Sequence, residues 1–240
     1  MERAVIRLRG VSFAYGERQP VLRGVDLEID DGLTLLVGPN GCGKSTLLKI
    51  AAGVERPDAG TVRIDDHDLW QEEILSRAEL AYVPEHPDLT PYATVAEVLR
   101  LVCSLRGEAA GRARDALKRT GLAAVGGHSI RELSMGQRRR AVLAAAMIGS
   151  PHRLLLDEPL EALDRPMRDE VVCWIEDHRQ AGSLVLIVTH QSEPFLHTAS
   201  RALTVRDGRV VMLDPLPSDP ATRLKAFSKC VEPLPMRARR

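Results

Sequence analysis

A chain of 240 residues is long enough for one or two domains with a sizeable core, and 44% hydrophobic with 28% charged residues excludes a wholly disordered polymer. Lys and Arg together number 33, as do Asp and Glu, so the sequence offers no bulk basic field for nucleic acid, although a local patch stays possible. The longest run free of Asp, Glu, Lys and Arg is the 13 residues Gln180–Ser192, short of the ~20 apolar residues of a membrane-spanning helix.

The first residues, Met1-Glu2-Arg3-Ala4-Val5, hold no apolar signal region, so a cytosolic chain is expected. Cysteines stand at 42, 103, 173 and 230, with no pair spaced for a zinc ribbon or a redox C-x-x-C, as expected of free thiols in a reducing compartment. The seven His show no metal-ligand spacing.

In chain order, Val5–Tyr15 and Val25–Ile29 read as antiparallel strands, with Val5, Arg7 and Arg9 alternating against Ile6 and Leu8. The apolar runs Leu33–Val37, Leu154–Leu156 and Leu184–Val188 read as buried parallel strands. Leu80–Val83 reads as a further strand. The middle, about 86–150, reads as all-helical. Thr94 and Glu97 form a capping box, and Val95, Val98, Leu99 and Val102 follow one helix face. A second helix is expected over 109–119, and a third from the Ser134/Gln137 capping box to about Ile148. Beyond 214, Pro215, Pro217, Pro220, Pro233 and Pro235 are expected to break any long element, and Arg237–Arg240 to fray. The pattern predicts an α/β core with a mostly parallel sheet, interrupted by a helical insertion.

Gly38-Pro39-Asn40-Gly41-Cys42-Gly43-Lys44-Ser45-Thr46 fits G-x-x-x-x-G-K-[ST] between an apolar strand and a helical pattern. Glycines let backbone N–H groups point at phosphate oxygens, and the helix start adds its dipole. Lys44 can reach the β- and γ-phosphates, and the Ser45 hydroxyl can ligate Mg²⁺. Asp157 and Glu158 end the run Leu154–Leu156, where Asp157 can hold Mg²⁺ and Glu158 can polarise an attacking water. Ser134-Met135-Gly136-Gln137 is a capped helix start and so also a candidate anion site.

The order of these three motifs resembles the nucleotide-binding domain of the ATP-binding cassette (ABC) family over about 3–213. The stretch Leu133–Gln137 is similar to that family's Leu-Ser-Gly-Gly-Gln signature, with Met135 in place of the first Gly. The resemblance implies a P-loop NTPase: a mostly parallel sheet, an antiparallel β subdomain and an inserted α-helical subdomain. It divides the chain into one domain, 1–213, with core 1–84 and 151–213, helical subdomain 85–150, and a short tail, 214–240. It implies that Tyr15 stacks on adenine, that His190 contacts the γ-phosphate, and that Leu160–Asp164 crosses a dimer interface. The ligands implied are ATP and Mg²⁺, with Lys44, Glu158 and His190 catalytic. The loop 38–46 would bind ATP together with Ser134, Gly136 and Gln137 of a second cassette, identical or not.

The departures are Glu85, where the family usually has Gln; Met135; and Glu161, where a small polar residue is usual. Glu85 adds a metal-facing oxygen and a negative charge, or else swings into solvent. The thiol of Cys42, beside Lys44 and a helix start, is expected either to be reactive and shielded by nucleotide or to point into the core and be inert. The function implied is the ATPase subunit of a transporter, peripheral on the inner face of the cell membrane. Its permease partner would dock in the groove between Glu85 and the helix from Thr94, and no direct nucleic acid partner is expected. The alternatives are an ATPase acting on nucleic acid or ribosomes, and a low-turnover nucleotide-dependent regulator.

Overall fold

The computed structural model describes residues 5–17, 19–86, 89–213 and 216–231. Strand β1 (Ile6–Phe13) alternates because one face is covered: Ile6, Leu8 and Val11 are buried while Arg9 and Gly10 are exposed. It pairs antiparallel with β2 (Leu22–Ile29), Ile6 opposite Ile29 and Leu8 opposite Leu27. Its other edge takes β4 (Ala59–Ile64), and β5 (His67–Asp68) closes a four-stranded antiparallel sheet.

The second sheet has the order β10-β9-β3-β8-β7-β6. Strands β3 (Gly32–Leu36), β6 (Leu80–Val83), β7 (Arg153–Asp157) and β8 (Leu184–Val188) are parallel neighbours, which explains their near-continuous apolar character. The antiparallel pair β9 (Arg201–Arg206) and β10 (Arg209–Leu213) extends one edge.

Helix α1 (Lys44–Ala51) fills the space between the sheets, packing Leu47, Leu48 and Ile50 against Leu8, Leu27, Leu155 and Leu186. A short helix α2 (Glu73–Arg77) precedes β6. The helical middle consists of α3 (Val95–Leu105), α4 (Gly111–Arg119) and α5 (Met135–Ala146), around their own core of Val95, Leu99, Leu117, Leu122, Ile130 and Ala144. Both expected capping boxes form, at Thr94/Glu97 and at Ser134/Gln137. Helix α6 (Arg165–Gln180), capped by Asp164, covers the far face of the second sheet with Met167, Val171 and Ile175, each worth ~1.5–3 kcal/mol of burial.

The prolines after 214 do not prevent a long element. Pro220 opens the 12-residue helix α7 (Pro220–Val231), at a position where its missing N–H costs nothing, and the Asp219 carboxylate accepts the Thr222 N–H at 2.8 Å. Phe227 and Cys230 are buried in the same core as α6, so this part of the presumed tail is packed structure. Pro215, Pro233, Pro235 and Arg237–Arg240 lie outside the described residues.

Candidate functional site

Parallel strands place their C-terminal ends along one edge, and the candidate residues follow β3, β6, β7 and β8. The loop after β3 turns into α1 through Gly43 at φ 111°, where a Cβ would meet Val21 Cγ1 at 3.0 Å. No side chain caps α1. Its first free N–H groups therefore face a cavity of about 490 Å³, lined by Asn40, Gly41 and Gly43–Thr46. Lys44 folds back over the loop, its Nζ donating to the carbonyls of Gly38 at 2.8 Å and Pro39 at 2.9 Å. Gly38 and Pro39 thus lie behind the lysine rather than on the cavity wall.

Asp157, Glu158 and Glu85 line the same cavity. Asp157 is 1% exposed. Burial pushes its pKa up to about 6; a hydrogen bond from Ser45 opposes that, and the charges of Glu85 and Glu158 add to it. Asp157 Oδ1 is buried without a hydrogen-bond partner. An orphaned buried carboxylate oxygen beside a serine hydroxyl is a hard-oxygen donor set of the kind Mg²⁺ takes, so the residues fit that ion. Glu85 is half-buried on this wall rather than turned into solvent.

Glu158 adopts φ 47°, a left-handed conformation that costs a non-glycine residue on the order of 1–3 kcal/mol. The turn aims its carboxylate at the end of β8, where it accepts the Thr189 hydroxyl at 3.2 Å and the His190 N–H at 3.1 Å. His190 itself is exposed.

Ser134, Gly136 and Gln137 do not line this cavity. They open α5, where Ser134 Oγ accepts the Gln137 N–H at 3.2 Å and Gln137 Oε1 accepts the Ser134 N–H at 2.9 Å. A Cβ on Gly136 would stand 3.1 Å from the Ala162 carbonyl, so this glycine permits close approach of the 160–164 loop. Met135 instead points outward, 75% exposed, and crowds nothing within the chain. Arg140 holds the same loop through Asp164 at 2.8 Å.

Tyr15 stands at the cavity mouth, half-exposed, its hydroxyl 3.3 Å from Thr46 Oγ1 and its ring edge-on to Phe13. Cys42 is half-buried and lines a neighbouring cavity with Val205, Gly208 and Cys230, and its N–H turns back to the Pro39 carbonyl at 3.4 Å.

Sequence reasoning missed Arg139, buried and hydrogen-bonded to both carboxylate-bearing turns. Gln137-Arg138-Arg139-Arg140 looks like a solvated charge run. Yet Arg139, Val142, Leu143 and Ala146 follow i, i+3, i+4, i+7 and are all buried, and that spacing was the available signal.

Among known proteins, residues 22–161 match the family model described as ABC transporter. The aliphatic sulfonates import ATP-binding protein SsuB 2 of Pseudomonas aeruginosa is 37% identical over 207 residues, 85% of this chain and 73% of that protein. The sulfate/thiosulfate import ATP-binding protein CysA of Gloeobacter violaceus is 35% identical over 211 residues, 85% of this chain and 61% of its own length. The chain spans between 56% and 63% of several further curated relatives. Among solved structures, the dimeric ATP-binding cassette MJ0796 in a post-hydrolysis state, bound to ADP and Pi, superposes with a TM-score of 0.74 at 27% identity, covering 85% of this chain and 96% of that one. A structure described as the ATP binding subunit of an ABC transporter gives a TM-score of 0.82 at 24% identity over 94% of this chain and 98% of the other, a likeness of fold.

Proposed function

The chain belongs to the ABC transporter family as an ATPase cassette, and on that premise we propose that it powers a membrane permease by ATP-driven pairing with a second cassette. The observation that carries this reading is the convergence of Lys44, Ser45, Asp157 and Glu158 on one cavity at the free N-terminus of α1. Lys44 exchanges its loop carbonyls for β- and γ-phosphate oxygens, and the loop N–H groups take the rest of the phosphate charge. Ser45 and Asp157, joined by Glu85, would hold Mg²⁺, which would supply charge neutralisation at the phosphates. Glu158 takes the proton of the attacking water, and His190 contacts the γ-phosphate. Tyr15 offers its ring to adenine. Ser134, Gly136 and Gln137, outside the chain's own cavity, are placed to close over the nucleotide of a partner cassette.

Among the described residues no helix is long and apolar enough to cross a membrane. In this reading the membrane path belongs to a permease subunit, as the import names of the relatives support, with the cassette on its cytoplasmic side. Exposed Tyr92 beside Thr94, and exposed Leu101 and Leu105 one turn apart on α3, give that subunit apolar contacts. Relatives named for sulfonate, sulfate and spermidine import match at 35–37% identity, which supports import as the direction and leaves cargo choice to the permease. The test is ATP turnover with Mg²⁺, combined with co-purification from membranes. Turnover together with a multi-spanning partner supports the reading, and turnover stimulated by nucleic acid instead would overturn it.

A further inference from the structure

Resting on that ATPase reading, we propose that Arg139 is a positioning residue for hydrolysis: from the helix that begins at Ser134, its guanidinium fork fixes Glu85, Asp157 and Glu158 relative to one another. Arg139 is 2% exposed, one of very few charged side chains buried among the described residues. Its Nη2 donates to the carbonyl of Asp157 at 2.6 Å and to that of Glu158. Its Nη1 donates to the carbonyl of Glu85 at 3.2 Å and to that of Pro84.

Two features make this more than packing. Consecutive carbonyls of an extended strand point to opposite sides, yet those of 157 and 158 meet one nitrogen. They do so because Glu158 has turned to φ 47°, the same turn that aims its carboxylate at Thr189 and His190. The left-handed turn and the Nη2 contacts therefore sustain one another. The other arm of the fork does the same at the end of β6, which pairs with β7 through Val83 and Leu156. One planar group thus staples the ends of two adjacent strands, and every carboxylate on the cavity wall hangs from one of those ends. The charge of Arg139 has carboxylate counter-charges in Asp157, Glu161, Glu158 and Glu85, without a direct ion pair to any of them.

The staple is mounted on α5, four residues past Met135, so a shift of the Ser134 end is carried to the carboxylates of the same chain. A lysine keeps the charge but supplies a point donor in place of a fork.

The experiment compares wild type, Arg139→Lys, Arg139→Gln and Glu158→Gln as full-length chains. It measures steady-state kcat and KM for Mg-ATP, fluorescent-ATP binding, and far-UV circular dichroism. For Arg139→Lys and Arg139→Gln we expect kcat to fall at least tenfold, with ATP Kd and KM within threefold and a wild-type spectrum. Wild-type kcat in Arg139→Lys would overturn the proposal, because charge alone would then suffice. So would parallel loss of ATP binding, or failure of both variants to fold, either of which makes Arg139 a requirement of the fold. If wild type itself does not hydrolyse ATP, or Glu158→Gln hydrolyses at the same rate, the ATPase reading or its base assignment fails first and the positioning role falls with it. Turnover in wild type with loss in Glu158→Gln isolates the Arg139 result.

Discussion

Glu158 accepts the backbone N–H of His190 at 3.1 Å, and its Oε2 stands 3.0 Å from His190 Nδ1. The carboxylate is thus gripped by the end of β8. The imidazole is exposed on its other side, where its Nε2 stands 3.4 Å from the Gln191 side-chain amide. The proposed role of general base requires a fixed position and an accessible lone pair, and the backbone N–H and the Thr189 hydroxyl would supply the first.

Glu158→Gln keeps the shape and still accepts one of these bonds, but it cannot take a proton. ATP hydrolysis is expected to fall by ~10²–10⁴-fold while ATP binding persists, so that dimers accumulate on size-exclusion chromatography with Mg-ATP. Unchanged turnover would remove Glu158 from the role of base.

Glu85 and Asp157 share a cavity wall, and the negative charge of Glu85 contributes to the raised pKa of Asp157. Glu85→Gln removes that charge and also one prospective metal oxygen. The acid limb of the ATPase pH profile is expected to move to lower pH and the Mg²⁺ needed for half-maximal rate to rise, with ATP affinity changed by no more than several-fold. Profiles that overlay the parent's from pH 5 to 9, at limiting and at saturating Mg²⁺, would show that Glu85 does not act on the metal.

The raised pKa of Asp157 has a consequence for stability. Between the ordinary value of 3.8 and about 6, the folded chain holds a proton that the unfolded chain has lost, so stability falls as pH rises through that window. The shift spans about two pH units at 1.36 kcal/mol each, so the loss attributable to this one group is about 3 kcal/mol. In EDTA, urea denaturation of Asp157→Asn is expected to lack this component of the slope from pH 4 to 6.5, and millimolar Mg²⁺ with nucleotide to flatten it in the parent. An Asp157→Asn curve parallel to the parent's would mean that another group sets the slope.

The phosphate loop, the Asp157-Glu158 pair and the two capping boxes were legible in the sequence because each is local: spacing alone fixes which groups meet. What stayed hidden depends on distant partners. Pro217 and Pro220 suggested an irregular tail, but Phe227 finds the α6 face of the sheet, and tertiary burial outweighs the local composition. Arg206-Asp207-Gly208 marks the turn of the β9–β10 pair, which the reading of long apolar runs passed over because β10 is mostly exposed. Arg139 was masked by its arginine neighbours, since its partners, Glu85 and Asp157, lie 54 and 18 residues away.

Cys42 tests where the loop's side chains point. The sequence leaves two readings open, a reactive thiol shielded by ATP and an inert one pointing into the core. The structure packs its side chain against the core of the first sheet and on the wall of a neighbouring cavity beside α7, which shares Val21 and Gly41 with the cavity lined by Lys44. Exposed Cys173 should therefore alkylate first, half-buried Cys42 more slowly, and buried Cys103 and Cys230 last. Because ATP would fill the other cavity, saturating Mg-ATP is expected to slow labelling of Cys42 by less than about threefold, acting through loop rigidity rather than by covering the sulfur. Mass spectrometry of each cysteine peptide over time reads this directly. Complete protection by Mg-ATP, with Cys173 labelling unchanged, would place the Cys42 sulfur on the nucleotide side and overturn the assignment.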